Sequence, residues 1–299
     1  MAIVPMRSRP GHCIPGDSVA AMEIPHHVLN DGREIPAIGF GTYPLTGQEC
    51  IDAVASAIEV GYRLIDTAVN YGNEEEVGEA VRRSGVPRDE LFVTSKLPGR
   101  HHAYDDAIRS TKESLQRLGL DHLDLHLIHW PNPSRGLYPE AWRALVDLQR
   151  EGLVRSLGVS NFTGEHLRRV IDETGVTPAV NQVELHPWFP QQEMRKTHLE
   201  LGVVTESWSP LGKRQAPFDE PPVAAAARTH GVTPGQVVLR WQVQVGALPI
   251  PKSATPARQR ENLDVFGFEL TEDEVSAITG LGRPDGRLFG GDPDTHEEM

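Results

Sequence analysis

The sequence predicts an α/β protein folded as one (β/α)8 barrel with an N-terminal β-hairpin at the barrel floor, and three observations carry that prediction. Eight short apolar runs alternate with segments of helical periodicity, most of those helical segments end near a glycine, and Asp66, Lys96 and His129 each end an apolar run. In a barrel the carboxyl ends of all strands open on one mouth, so polar residues far apart in the chain can share a site there. A doubly wound sheet is the alternative, and it would carry G-x-G-x-x-G after its first strand. Here Gly39-Phe40-Gly41-Thr42 runs into Tyr43-Pro44 instead.

The elements follow in order. Asn30-Asp31-Gly32 between two short extended runs signals a hairpin. Strand-like 35–42 precedes helical 48–61. Strand 63–68 then leads to helix 73–85, strand 91–97 to helix 103–119, and strand 123–130 to helix 139–152. Strand 155–161 and helix 164–175, strand 179–186 and helix 191–202, and strand 203–210 continue the alternation. A proline-rich connection, 211–222, leads to helices 223–231 and 234–246 and an eighth strand at 247–252. No Pro/Gly/Ser-rich linker divides residues 22–299, which read as a single domain. Residues 1–21 read as a disordered extension that lacks the apolar core of a secretory signal.

Composition narrows the function classes. A chain of 299 residues with 38% hydrophobic and 24% charged residues reads as a soluble globular protein, with no tract long enough to cross a bilayer. A formal charge of −13 argues against broad nucleic-acid binding. The two cysteines, Cys13 and Cys50, imply no disulfide framework, and a cytoplasmic location is compatible with them.

Chemistry is suggested by the strand ends. An aspartate at position 66 can hold Lys96 charged at a barrel mouth, and such a pair is expected to lower the pKa of a nearby phenol, for which Tyr71 is the candidate. A phenol so tuned could protonate a carbonyl oxygen that gains negative charge, while His129 orients the carbonyl. Taken one at a time, a lysine–aspartate pair reads equally well as structural and a strand-end histidine as a packing residue. Asp124, His126 and His129 invite a metal reading, but strand parity puts Asp124 and His126 on one face and His129 on the other, so no metal site is expected.

Taken together, these residues lie in stretches that resemble the aldo-keto reductase family along almost the whole chain: Gly61-Tyr62-Arg63-Leu64-Ile65-Asp66-Thr67-Ala68 with Tyr71-Gly72-Asn73-Glu74, Ser95-Lys96-Leu97, and Leu127-Ile128-His129-Trp130-Pro131. Gly158-Val159-Ser160-Asn161-Phe162, Asn181-Gln182-Val183-Glu184, Ser209-Pro210-Leu211-Gly212 and Ile250-Pro251-Lys252-Ser253 extend the resemblance. It implies a catalytic tetrad of Asp66, Tyr71, Lys96 and His129. A branch of the family that reduces steroid carbon–carbon double bonds has glutamate in place of the histidine, so His129 favours carbonyl reduction.

The resemblance also implies NADP(H) as cofactor. Ser160, Asn161 and Gln182 would hold the nicotinamide carboxamide, and Trp208 would stack on the ring where many members have tyrosine. Leu211 and Gly212 would cover the pyrophosphate, with Gly41, Thr42, Asp66 and Ser209 as further contacts. Lys252, Ser253 and Arg258 gather at a helix start, a good phosphate site, and would hold the 2′-phosphate, with Glu261 and Asn262 on the adenine. Tyr43, Trp130 and Trp188 are candidate aromatic walls for a small aldehyde or ketone. The short tail, 283–299, resembles bacterial members of the 2,5-diketo-gluconate reductase type and predicts an open site. A monomeric NADPH-dependent carbonyl reductase is the expected function; a cofactor-binding sensor or structural protein with negligible turnover is the alternative.

Overall fold

The computed structural model describes residues 24–298 together with the backbone of Met6–Arg7. Strand β1 (Met6–Arg7) pairs antiparallel with β2 (His26–Val28), which pairs antiparallel with β3 (Glu34–Pro36) across the Asn30-Asp31-Gly32 turn. Apart from that two-residue strand, the expectation of a disordered 1–21 lies outside the described residues. The turn is pinned under the barrel: the Asn30 side-chain amide donates to Pro178 O (3.0 Å), and the Ser156 hydroxyl to Asp31 Oδ2 (2.7 Å). Pro178 and Ser156 lie near the amino ends of their strands, so the hairpin occupies the floor.

Eight parallel strands follow, each hydrogen-bonded to the next in chain order: β4 (Phe40–Gly41), β5 (Leu64–Asp66), β6 (Phe92–Leu97), β7 (Leu123–Ile128), β8 (Val154–Ser160), β9 (Val180–Glu184), β10 (Val204–Trp208) and β11 (Ala247–Pro249). The Gly39 amide donates to Pro249 O (3.0 Å) and the Gly41 amide to Pro251 O (3.1 Å), which brings the last strand to the first and closes the ring. Helices alternate with the strands: α1 (Gly47–Val60), α2 (Glu74–Arg83), α3 (Tyr104–Leu118), α4 (Tyr138–Arg150), α5 (Gly164–Thr174), α6 (Gln192–Leu201) and the pair α7 (Pro221–His230) and α8 (Pro234–Gln244). Two more, α9 (Pro256–Leu263) and α10 (Glu272–Thr279), follow the last strand.

The sequence run 35–42 does not form one strand. Ile35 and Pro36 belong to the floor hairpin, and the chain turns through 37–39 before joining the barrel. Gly39 permits that corner, since a β-carbon there would lie 2.5 Å from Ile250 Cδ1 and 2.7 Å from Leu64. Inside the ring, Leu64, Leu125, Leu127, Val180, Val204 and Leu248 pack on Leu29 and Ile35 from the hairpin, so the lower barrel is a filled core. Between ring and helices, Trp142, Leu145, Leu148, Leu157 and Phe162 form one buried cluster; Tyr62, Ile58, Val77 and Leu118 belong to another. Truncating such a side chain costs roughly 2–5 kcal/mol. What remains polar is the upper end of the barrel.

Candidate active site

Strand register builds the site. Asp66 ends β5 and Lys96 is the penultimate residue of β6, so both emerge at the upper rim. Lys96 is fully buried, and its Nζ meets Asp66 Oδ1 at 2.6 Å and Thr67 O at 3.0 Å. Its third partner is the Tyr71 hydroxyl at 3.2 Å. Tyr71 reaches that point because a single 3-10 turn, Val69–Tyr71, follows β5 and closes on Gly72 in the left-handed region (φ +65°). Burial by itself would lower the lysine's pKa, but the Asp66 carboxylate and the Tyr71 oxygen hold it above its ordinary value.

The electrostatic expectation for Tyr71 is corrected by the structure. Burial of the phenol raises its pKa, and although Lys96 pulls the other way, Asp66 and Glu298 add to the rise. Desolvation outweighs the cation, so Tyr71 keeps its proton through neutral pH. That proton is what a donor to a carbonyl oxygen needs.

His129 follows β7, its amide donating to Leu97 O (3.0 Å), and its ring meets the Tyr71 ring edge-on with centroids 5.8 Å apart. His126 faces the other way, against Thr111 Oγ1 (3.1 Å) and Ser95 O (3.0 Å) beneath α3, and Asp124 accepts from the Val93 amide and pairs with Arg88. Among the described residues, no group of three or more His, Cys, Asp or Glu side chains is arranged to hold a metal.

A second polar layer lies beside the first. Gln182, on β9, donates to Asp66 Oδ2 (2.9 Å) and to Glu206 Oε2 (3.1 Å) of β10, with Gln182 and Glu206 directly paired in register. Glu206 is fully buried; desolvation, then the Asp66 charge, pushes its pKa up to about 8. Ser160 donates to Gln182 O (2.8 Å), Asn161 to His129 O (3.0 Å), and the Trp208 indole to Asn161 Oδ1 (2.8 Å). Glu206 has a signal in the sequence: a lone carboxylate inside the strand-like run Val203–Trp208.

The candidate phosphate residues lie around the start of α9. Ser253 is buried and accepts from the Thr255 amide (3.2 Å), while Lys252 and Arg258 are exposed beside it. Glu261 accepts from the Thr233 hydroxyl (2.7 Å), and Asn262 is buried. Thr42 caps the rim of β5 through its amide and hydroxyl, both donated to Asp66 O. Gly41 lies against Ile250, where a β-carbon would stand 3.0 Å from its side chain. Ser209 (φ +51°) and Gly212 (φ +74°) turn the loop after β10, with the Gly212 amide donating to Ser209 O and Leu211 between them.

The aldo/keto reductase family model matches residues 37–216 and 220–283. This chain belongs to the aldo/keto reductase family. Among relatives of this reductase, 2,5-diketo-D-gluconic acid reductase B of a Corynebacterium species is 61% identical over 276 residues, 92% of this chain and 99% of the relative. A solved aldo/keto reductase of Brucella melitensis is similar with a TM-score of 0.83 and 46% identity, covering 86% of this chain and 99% of that one. A variant of Gox0644 in complex with NADPH is similar with a TM-score of 0.86 and 44% identity, over 91% of this chain and 98% of that one.

The reductase's own residues fit a 2′-phosphorylated dinucleotide. Two exposed cations and a hydroxyl meet at a helix start in a chain of charge −13, and amide-bearing side chains line the rim from β8 and β9.

The substrate side departs from expectation. Tyr43 packs on Tyr71 with centroids 5.1 Å apart, and Trp130 follows His129. Trp188, by contrast, lies under the Arg283 guanidinium (4.4 Å to the ring centroid) and donates to Gln215 O, so it braces the base of the tail. The tail does not leave the mouth open. Leu288 N–H donates to Glu184 Oε1 (2.6 Å), Phe289 stacks on Trp208 with centroids 5.4 Å apart, and His296 covers Trp130 at 4.2 Å. Aromatic and hydrogen-bonded anchors draw the described tail, 283–298, across the rim rather than away from it. Phe289, His296 and Glu298 were not foreseen, since nothing local in a Gly/Asp/Pro tail states where it travels.

Proposed function

We propose that this chain reduces small aldehydes and ketones to alcohols with NADPH, Tyr71 acting as the acid. The observation that carries the reading is Lys96 Nζ held between Asp66 Oδ1 (2.6 Å) and the Tyr71 hydroxyl (3.2 Å). A carbonyl oxygen placed against Tyr71 and His129 would receive a proton from the phenol and a hydrogen bond from the imidazole. Lys96 stabilises the phenolate left behind, and Asp66 keeps Lys96 charged and fixed. Bound NADPH supplies the hydride. Ser160, Asn161 and Gln182 would orient the nicotinamide carboxamide, Trp208 would stack on its ring, and Gly41, Thr42, Ser209, Leu211 and Gly212 would line its path. Lys252, Ser253 and Arg258 would take the 2′-phosphate, with Glu261 and Asn262 beside the adenine. Tyr43 and Trp130 would wall the substrate.

Similarity to the diketogluconate reductase supports polyhydroxylated ketones as the substrate class. We take the enzyme to act as a monomer; a dimer mass in sedimentation would overturn it. We place the enzyme in the cytoplasm, where NADPH is maintained, and among the described residues no helix is long and apolar enough to cross a membrane. Recovery from the culture medium or a membrane fraction would contradict that location.

The test compares the intact protein with Tyr71→Phe on aldehydes and diketones under identical conditions. We expect substrate-dependent NADPH oxidation to fall by about 10²-fold or more in the variant, with NADPH binding, read by fluorescence, retained. A variant that keeps its turnover removes Tyr71 from the role.

A further inference from the structure

Two carboxyl groups besides Asp66 reach the mouth. The tail's Glu298, with Oε1 2.7 Å from His129 Nδ1, sits where a carbonyl would bind and must leave when one does. Glu206 is a fixed part of β10, and it is costly to keep. It is fully buried, its Oε2 accepts only from Gln182 Nε2 (3.1 Å), and its Oε1 is buried with no hydrogen-bond partner among the described residues. Its one hydrogen bond therefore goes to a side chain of the site. Gln182 Nε2 also donates to Asp66 Oδ2 (2.9 Å), so both N–H bonds of that amide are committed, one to each carboxyl group. Its carbonyl oxygen makes no hydrogen bond among the described residues. The backbone beneath is fixed as well: Gln182 lies in register between Glu206 and Ser160, and the Ser160 hydroxyl donates to Gln182 O (2.8 Å).

We propose that Glu206 is a positioning residue for the cofactor: by taking the second N–H of Gln182 it leaves that amide only its carbonyl oxygen to offer, as the acceptor for the amino group of the nicotinamide carboxamide. The inference rests on the reading that places the carboxamide at Ser160, Asn161 and Gln182. An amide held by Asp66 alone can present either of its hydrogens to that carboxylate, and its oxygen swings between two directions; held at both hydrogens, it keeps one. Glu206 Oε2 accepts with a proton on Oε1 or without it, so the role belongs to the oxygen and not to its charge.

The test uses 3-acetylpyridine adenine dinucleotide phosphate, which has a methyl where NADP+ has the carboxamide amino group. Both ligands are titrated by tryptophan fluorescence against the intact protein, Glu206→Gln, Glu206→Met and Gln182→Met. Their ring charge is the same, so any charge effect of Glu206 cancels in the ratio of the two Kd values. The intact protein should bind the analogue at least about fivefold more weakly than NADP+, because a buried acceptor is left unpaired. Glu206→Gln, which keeps the acceptor, should hold that ratio to within about twofold, and Glu206→Met should cut it by more than about half. Affinity for 2′,5′-ADP, which has no nicotinamide, should be the same in all four. Should the methionine variant fail to fold, Glu206→Asp, which draws the oxygen back by one methylene, takes its place with the same expected fall. A methionine variant that keeps the parent ratio, a glutamine variant that loses it, or a weakening shared with 2′,5′-ADP at an unchanged ratio overturns the proposal. If Gln182→Met alone loses the ratio, the carboxamide reading stands and Glu206 has no part in it. A low ratio in the parent, or one that survives Gln182→Met, sinks the carboxamide reading and the proposal together, while NADPH oxidation still judges the reductase.

Discussion

Each polar side chain at the barrel mouth takes its protonation state from what burial costs it and what its neighbours return. Lys96 and Glu206 are both fully buried, yet one stays charged and the other neutral. Lys96 has Asp66 at 2.6 Å, while the charge that acts most strongly on Glu206 is that same carboxylate, a like charge that outweighs Lys96 there. Folding therefore raises the Glu206 pKa from 4.5 to about 8, so folding takes up a proton between those values. Its contribution is fully present below pH 4.5 and lost as pH rises through 8. Replacing it by Glu206→Gln should remove that loss: relative to the parent, the variant's Tm gains as pH rises from 5 to 8, measured by scanning calorimetry. Parallel Tm curves would show that Glu206 does not titrate in this range. Asp66, Lys96 and His129 were legible because each ends an apolar run and strand ends share a mouth. The direction of the Tyr71 shift was not, since it depends on how deeply a half-exposed turn is buried by other segments.

Among the elements, α9 is the one proposed to carry the cofactor preference, and the packing of its body holds it in place. Gln259 donates to Ala53 O and accepts from Ser56, both on α1, and the Tyr62 hydroxyl donates to Gln259 O. This helix is therefore held by its buried face while Arg258 remains exposed to solvent. Arg258→Ala should raise the KM for NADPH about tenfold or more while that for NADH changes little. An equal rise for both cofactors would take the 2′-phosphate away from this arginine. Helix approach also explains one glycine the periodicity cannot: a β-carbon on Gly78 of α2 would lie 2.0 Å from Leu118 O at the end of α3, so only glycine lets the two helices meet there.

At the scale of the whole molecule, burial of histidines sets the acid limit. His27, His102 and His126 are pushed down to about 4 and His198 to about 3, in each case by desolvation. These rings are neutral in the folded protein and would charge near pH 6.5 when unfolded, so stability falls as pH drops from 6.5 toward 4. The slope is about 1.4 kcal/mol per pH unit for each such ring. Chemical denaturation at pH 7.5, 6 and 5 should show a midpoint that declines progressively; a midpoint constant to pH 5 would mean the rings are not buried as neutral species. The sequence by itself determined the alternation of strands and helices, the floor hairpin and the catalytic candidates, because turn residues, periodicity and strand-end polarity are local properties. Tertiary structure alone decided that 35–42 divides between floor and barrel, that Trp188 braces the tail, that Tyr71 is raised rather than lowered, and that Glu298 reaches His129. Those outcomes depend on which distant segments meet and how much water they exclude, and no window of neighbouring residues contains that information.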